Sequence, residues 1–247
     1  MTRIQSEPLG TTEFIKKGQK IMKTAIKFAA LATLAVTSSM SMGAYAAETA
    51  DLAVKGMIRP SACNVTTSAS QIDLGTISAQ TLSATAATTL PAQNFSLTVT
   101  CDAPTRVGLR SIDGRTGTIQ QAARTALGAN NDIYAYGFGA VGGKKIGAFT
   151  VRRNANPTAD GNTVALVGST NAGVSWAAAS ANALIVSWPT NSSIIGWANS
   201  GQTTPGSYSS MTEQFTLTPA IGPTSALPDL TTNISLDGLA TFEVVYL

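Results

Sequence analysis

Short segments in which apolar and polar residues alternate recur along most of this chain, and they constrain the fold more than any other feature. A period of two puts every second side chain on the same face, which is the pattern of a half-buried β-strand. About ten such segments, separated by Gly, Pro and Asn, predict an all-β fold, and a β-sandwich fits that number best. The clearest segment spans 93–101, and its apolar face holds Phe95, Leu97, Val99 and Cys101.

The rest of the chain consists of further strand-like stretches and one stretch with helical character. Residues 118–127 predict a short helix, and Asp113-Gly114 is a turn pair. The region 122–200 is less regular than the two ends, and the sequence assigns it no role. The other predicted strands are, in chain order, 51–58, 71–77, 106–112, 132–138, 146–151, 163–167, 183–188, 193–198, 213–221, 231–236 and 241–246.

Residues 22–46 have the three parts of a secretory signal peptide. Lys23 and Lys27 supply the positive start, and residues 28–36 form an apolar run of nine. That run is about half of what a bilayer-spanning helix needs. The small-residue site Ala44-Tyr45-Ala46 follows it. These features predict an exported protein.

We expect cleavage between Ala46 and Ala47, and the alternative is an uncleaved N-terminal membrane anchor. Residues 1–21 carry acidic residues where a leader should be positive, so we interpret them as an upstream mis-start before the true first residue, Met22. The mature chain, 47–247, then forms a single domain. Removing residues 1–46 lowers the net charge from +3 to −1, because these residues hold six Lys and Arg and two Glu. The apparent basicity is therefore no sign of a nucleic-acid partner.

Cys63 and Cys101 are 38 positions apart, and the chain has no other cysteine. In an oxidising compartment such a pair predicts one disulfide, which the loop-entropy model values at about 4 kcal/mol. The alternative is two free thiols with a catalytic or metal-binding role. The chain has no histidine to support that role.

Catalysis, a metal and a cofactor all lack a convincing residue set. Without histidine there is no Ser-His-Asp triad or Cys-His pair, and zinc sites are built mainly from Cys and His. Asp73, Asp102 and Asp113 are isolated in sequence. We therefore expect no enzyme activity, no metal and no cofactor. A carboxylate pair brought together by the fold, as in a glycosidase, is the remaining enzymatic alternative.

Residues 137–142 match the glycine pattern G-x-G-x-x-G, with Asp160 about 20 positions further on. A nucleotide site would need a helix to begin at Gly142. Residues 143–149 alternate like a strand instead, so we expect a hairpin loop. The basic pairs Lys144-Lys145 and Arg152-Arg153 then fit a solvated sheet edge, with contact to a glycan or a protein as the alternative.

Two motifs near the ends of the mature chain resemble chaperone–usher fimbrial subunits, the pilins of Gram-negative bacteria. The first runs from Lys55-Gly56-Met57-Ile58 through Cys63 and Ile72-Asp73-Leu74-Gly75 to Leu97-Thr98-Val99-Thr100-Cys101. The second is the final alternating strand with its penultimate tyrosine, residues 240–247. Residues 101–105, 145–148 and 245–247 look more specifically like the GltF-like branch of periplasmic, fimbria-associated proteins.

The resemblance implies an immunoglobulin-like, pilin-type β-sandwich, with or without its final strand. It also implies an exported structural or adhesive subunit located in the periplasm or in a cell-surface fimbrium. Its partners would be a periplasmic pilus chaperone, an usher and other fimbrial subunits, each supplying or accepting a β-strand. Phe242, Val244 and Tyr246 would form the contact for such a strand.

The segment that would donate a strand differs from that of the family in its length. Four residues, 47–50, precede the first predicted strand, and they span about 14 Å at most, too little to fill a groove. Three readings remain open: the subunit accepts a strand and donates none, the branch does not polymerise, or the first segment is itself the donor strand. The donor residues would be Leu52, Val54, Gly56 and Ile58.

A self-contained monomeric periplasmic binding protein is the alternative function. In that case the long middle region would supply the closing strand. Trp176, Trp188 and Trp197 would line a surface for a carbohydrate or a small ligand. Core packing is the expected role of those rings, because each buries a large apolar area.

Overall fold

The computed structural model describes residues 52–57, 61–187 and 192–247. The signal peptide, its cleavage site at Ala46 and Ala47, the donor residue Ile58 and Trp188 therefore lie outside the described residues. The chain divides into two compact units, Met1–Lys55 and Gly56–Leu247. In the first unit, the side chains of Leu52 and Val54 are each 89% exposed.

The second unit is built almost entirely from short β-strands, with two long ones among them. Its α-helix, α1, spans Gln121–Ala126, and 3₁₀ turns occur at Ala79–Thr81, Asp132–Tyr134 and Thr224–Ala226. The strands, in chain order, are β1 Cys63–Thr67, β2 Thr88–Thr89, β3 Gln93–Thr105, β4 Val107–Asp113, β5 Tyr136–Gly137, β6 Ala140–Val141, β7 Lys144–Lys145, β8 Gly147–Arg153, β9 Thr158–Ala159, β10 Asn162–Thr163, β11 Ala165–Ser169, β12 Ala177–Ala178, β13 Ile194–Ala198, β14 Tyr208–Ile221 and β15 Ala240–Tyr246.

The strands form two main antiparallel sheets. The first has the order β1-β3-β14-β8-β5, with the short strands β2, β9 and β10 attached to it. The second has the order β12-β11-β13-β4-β15. In immunoglobulin-type sandwiches the strands A, B, E and D form one sheet and C, F and G the other. β1-β3-β14-β8 corresponds to A-B-E-D, and β4-β15 corresponds to C-F. The predicted β-sandwich is confirmed.

The core lies between the inner faces of the two sheets. β3 and β14 pair in register from Gln93↔Leu217 to Thr100↔Ser210, so their alternating apolar residues stand side by side. The predicted inward face of β3 is confirmed, since Phe95, Leu97, Val99 and Cys101 are all buried. On the outer face of the first sheet, Ala123 of α1 packs with Ala148 and Ala220 in a smaller apolar cluster.

β15 is an edge strand. It pairs along its whole length with β4, from Ala240↔Asp113 to Tyr246↔Val107. Within the described ranges, no strand pairs with its other edge. That edge is where strand G of an immunoglobulin sandwich would lie. The described part of the chain is therefore an immunoglobulin-like sandwich in which β15 is an open edge.

One flank of the sandwich is closed by residues 183–187, which we call the crossover segment. At the β8 edge, the amide of Ile185 donates to the carbonyl of Val151 at 2.9 Å. At the β4 end, the amide of Asp113 donates to the carbonyl of Ser187 at 2.7 Å. The segment thus ties one sheet to the other through its own backbone. The side chains of Ile185 and Ser187 are 2% and 1% exposed.

Several sequence predictions are confirmed. The strands expected at 93–101, 106–112, 146–151, 163–167, 193–198, 213–221 and 241–246 are all present with shifted ends, and the helix is a shorter α1. The G-x-G-x-x-G stretch is a hairpin, in which β6 and β7 pair as Ala140↔Lys145 and Val141↔Lys144. Gly142 and Gly143 form its turn with φ of +57° and +77°, a conformation that glycine adopts without strain.

Four predicted strands, 51–58, 71–77, 183–188 and 231–236, are wrong: their described residues form no strand, apart from an isolated bridge at Leu184. The stretch 132–138 is a 3₁₀ turn followed by the two-residue β5. Alternation reports which side chains are apolar on one face, but a strand also needs a neighbour for its backbone. The segments 71–77 and 231–236 have the first property without the second.

The α-helix of the described ranges is six residues long, and no helix there has the length and apolarity to cross a membrane.

Candidate functional site: an apolar groove between two unpaired segments

A groove of about 1020 Å³ lies over the inner face of the first sheet. Its two rims are residues 69–77, which continue the edge strand β1, and residues 230–239, which lead into the edge strand β15. Its floor is apolar and comes from β3, β8, β14, the start of β15, and the residues that directly follow β5 and precede β8. The floor residues are Phe95, Phe138, Ile146, Phe149, Val151, Leu217, Ile221 and Phe242.

Aromatic rings dominate this floor. Phe95 stacks on Phe215 with ring centroids 5.2 Å apart, and Phe242 tilts against both at 6.0 and 5.8 Å. Phe149 lies 5.1 Å from Phe138. A Cβ at Gly238 would lie 2.7 Å from the ring of Phe149, so glycine lets this rim approach the floor closely. The rings give the groove a stiff, apolar base.

Both rims carry backbone groups without partners in the sheets. Among the described residues, no backbone–backbone hydrogen bond involves residues 69–77 or 228–236. Each rim nevertheless turns alternate apolar side chains toward the core: Ile72, Leu74 and Ile77 on one rim, Ile234 and Leu236 on the other. Unpaired edges beside an apolar floor are the features that accept an added β-strand.

The second rim is fixed at its C-terminal end. The Nε and Nη2 of Arg115 donate to the two carboxylate oxygens of Asp237 at 2.8 and 2.7 Å. The amide of Asp237 donates to the carbonyl of Phe138 at 3.0 Å. The guanidinium holds the pKa of the Asp237 carboxyl below its usual value. The rim is therefore anchored beside β15, whereas the hydrogen bond that the structure shows within 229–236 is local, from the amide of Thr231 to the carboxylate of Asp229.

The groove closes at the opposite end of β15. The hydroxyl of Tyr246 accepts a hydrogen bond of 2.7 Å from the backbone amide of Cys63. Thr67 of β1 lines the groove, but residues 61–66 do not. Likewise Ala240 and Phe242 line it, whereas Val244 and Tyr246 do not.

The disulfide lies at this closed end and is confirmed. Cys63 and Cys101 are bonded, and they are directly opposite each other in the β1–β3 pair. Beside it, the carboxylate of Asp102 accepts hydrogen bonds from Ser61 at 2.6 Å and from the amide of Ala62 at 2.8 Å, which lower its pKa. The first strand is thus held firmly at the residue that Tyr246 contacts.

The predicted strand-contact residues occupy three different environments. Phe242 lies in the groove floor, and Val244 packs against the core beyond the groove. Tyr246 is 54% exposed, with its hydroxyl on Cys63. As contacts for a partner they stay predictions, and so do the donor residues Leu52, Val54 and Gly56. Sequence reasoning missed both rims as site elements, although their apolar alternation was visible at 71–77 and 231–236.

The other residues singled out in the sequence do not assemble into a site. Trp197 is 1% exposed in the core, and the indole of Trp176 donates to the carbonyl of Gly173 at 3.0 Å. Trp197 therefore cannot line a ligand surface. The described residues hold no cluster of three or more His, Cys, Asp or Glu suited to a metal.

The predicted solvated basic edge is wrong for Arg153, which is buried. Its Nε lies 2.7 Å from Oε1 of Glu213, and both side chains are buried between the sheets. The angle at which the groups meet is not that of a hydrogen bond. Burial raises the pKa of the Glu213 carboxyl, and the nearby Arg153 opposes that rise. Lys144, Lys145 and Arg152 do lie at the surface, as expected.

The fold and the groove define the second unit as a disulfide-bonded, immunoglobulin-like β-sandwich with an open edge. Residues 52–150 match a family described as "Protein of unknown function (DUF1120)", a match that covers about two fifths of the chain. No curated protein matches the chain.

Proposed function

We propose that this protein is an exported fimbrial-type structural or adhesive subunit whose groove receives a β-strand from a partner. The supporting observation is the combination of an unpaired β15 edge with an apolar floor and two unpaired rims. A strand laid between the rims would cover the aromatic floor and supply partners for the free backbone groups. Leaving that surface exposed would invite aggregation.

The partners in this proposal are a periplasmic pilus chaperone first, then an usher and neighbouring subunits, in the periplasm and at the cell surface. A chaperone strand would protect the groove during export, and a strand from a neighbouring subunit would replace it. The segment with Leu52, Val54, Gly56 and Ile58 is our candidate for a donated strand. Its exposed residues Leu52 and Val54 fit that role. No catalytic step, metal or cofactor enters the proposal.

The test is co-expression with a fimbrial chaperone from the same genome, using two matched variants of β15. Phe242→Asp places a charge on the groove floor. Thr241→Asp places the same charge one residue away, on the exposed face of the strand. We expect Phe242→Asp to abolish co-purification with the chaperone and Thr241→Asp to preserve it.

A folding readout separates loss of binding from loss of structure. Leu230→Asp changes the rim, where the residue is already exposed, so this variant should fold and still bind the chaperone poorly. Circular dichroism and thiol titration report whether each variant is folded and disulfide-bonded. Equal chaperone association for all three variants and the native chain would refute the proposal. A native chain that folds as a stable monomer and ignores the chaperone would favour the alternative, a self-contained binding protein.

A further inference from the structure

We propose that the groove is one-ended: a partner strand pairs with the rims and with β15 as far as Phe242, and Tyr246 bars it from the last residues of β15. This inference rests on the proposed function, because it specifies where on the groove the strand lies. The partner is an extended peptide with aliphatic side chains at alternate positions. The occupant is the segment 51–58 of a second copy of this chain.

The first observation is the extent of the groove along its two edges. On the β15 side its lining ends at Phe242, two residues before Val244. On the β1 side it ends at Thr67, four residues after Cys63. The open part therefore runs along 67–82 and 230–242. Beyond it, Val244 packs against the core and does not line the groove.

The second observation is the contact that closes this end. Tyr246 ends β15, and its hydroxyl accepts the amide proton of Cys63 across the flank. Cys63 cannot yield easily, because the disulfide and the pairing with Cys101 hold it. A strand that extended to the end of β15 would have to displace the tyrosine and leave that amide without its partner.

The chemistry of the open part specifies the occupant. The titratable residues that line it are Asp73 and Asp237, both acidic, and Asp237 is already paired with Arg115. The inward residues of the strand must therefore be apolar, and a basic residue on its outward face would complement Asp73. The segment Asp51–Ile58 has this composition, with aliphatic residues at 52, 54 and 58 and Lys55 between them.

The experiment is hydrogen–deuterium exchange on the exported chain, with and without a synthetic peptide of the sequence of residues 51–58. A second peptide with Asp at the positions of Leu52 and Val54 is the control. We expect the first peptide to slow exchange at 69–77 and 230–242 and to leave 243–247 unchanged. The control peptide should change neither.

Tyr246→Phe removes the hydroxyl and keeps the ring, so it should open the closed end. We expect the Cys63 amide to exchange about fivefold faster without its hydrogen bond, and peptide protection to extend into 243–247. Tyr208→Phe removes a hydroxyl that bonds Asn199 at 3.0 Å, far along the chain from the groove, and should change neither result.

The outcomes separate the two proposals. Protection of 243–247 in the native chain, equal to that of 230–242, overturns the one-ended groove and leaves strand binding intact. Protection that is identical in the native chain and in Tyr246→Phe also overturns it. If the peptide protects neither rim in either protein, strand acceptance by the groove fails, and this inference fails with it.

Discussion

The two flanks of the sandwich differ in how the chain covers the edge of the core. At the β8 flank, the crossover segment 183–187 bonds to both sheets and buries Ile185 and Ser187 almost completely. At the other flank, the rims 69–77 and 230–239 approach the floor but make no backbone bonds to each other. The chain thus closes one side of its core with its own backbone and leaves the other side open.

The difference lies in the backbone hydrogen bonds that each segment makes with the strands beside it. The crossover segment gives its amides and carbonyls to β8 and β4, so a partner strand would find no free edge there. The rims place their apolar side chains inward, and their backbone groups pair with no strand in the described part of the chain. Stability should therefore be concentrated at the closed flank, and binding at the open one.

The two largest effects are expected at the closed flank, and the first follows from Ile185→Ala. Truncating a fully buried isoleucine removes apolar contacts and leaves a cavity, which costs about 2–5 kcal/mol. Ile234→Ala on the open rim removes the same atoms from a partly buried position and should cost clearly less. Urea unfolding gives both free energies. Equal losses would mean that the two flanks do not differ in stability.

The next effect concerns the buried pair Arg153–Glu213, which lies beside the crossover segment. Arg153→Met removes one charge and leaves the Glu213 carboxylate buried without its counter-ion, which typically costs about 3–5 kcal/mol. Replacing both residues with apolar ones, Arg153→Met with Glu213→Leu, should be neutral or stabilising, because neither charge then needs to be desolvated. A double variant as unstable as the single one would contradict this.

The same pair predicts a pH dependence. Burial raises the pKa of Glu213 in the folded state above its ordinary value of 4.5. The native state therefore holds this proton more tightly than the unfolded chain does. Stability from this group is complete below pH 4.5 and declines as pH rises through the raised pKa. Glu213→Gln should remove this component from the profile of unfolding free energy against pH, and an unchanged profile would refute the assignment.

The anchor of the open rim gives a smaller and more local effect. Asp237→Asn weakens the hydrogen bonds from Arg115, so residues 230–239 should exchange their amide protons faster while β3 and β14 do not. The control is Asp229→Asn. Asp229 lies just before the other end of this rim, and its carboxylate accepts a hydrogen bond from the amide of Thr231. Hydrogen exchange by mass spectrometry measures both variants. Faster exchange in the control and not in Asp237→Asn would contradict the anchoring role.

The sequence predicted the elements that depend on local pattern and missed those that depend on neighbours. Alternation located β3, β4 and β15, and the cysteine count gave the disulfide. The sequence pattern also predicted that Ile72 and Leu74 face the core. Whether the backbone of these residues pairs with a strand, however, depends on a segment far away in the chain. Arg153 and Glu213 are 60 positions apart. They meet because the β14–β8 register places Phe215 opposite Arg153, with Glu213 two residues away, and no local pattern encodes that register.

The smallest effect should come from the outer face of β15, which neither flank uses. Arg110 and Glu243 form an ion pair of 2.6 Å there, with side chains 41% and 38% exposed. Water screens such a pair, so Glu243→Gln should change the unfolding free energy by less than about 1 kcal/mol. Glu243 lies next to Phe242 in β15 but on the opposite face. This variant therefore tests whether a change on the outer face of the strand affects stability. A loss as large as that of Ile185→Ala would mean that the whole of β15, and not its inner face alone, holds the open flank together.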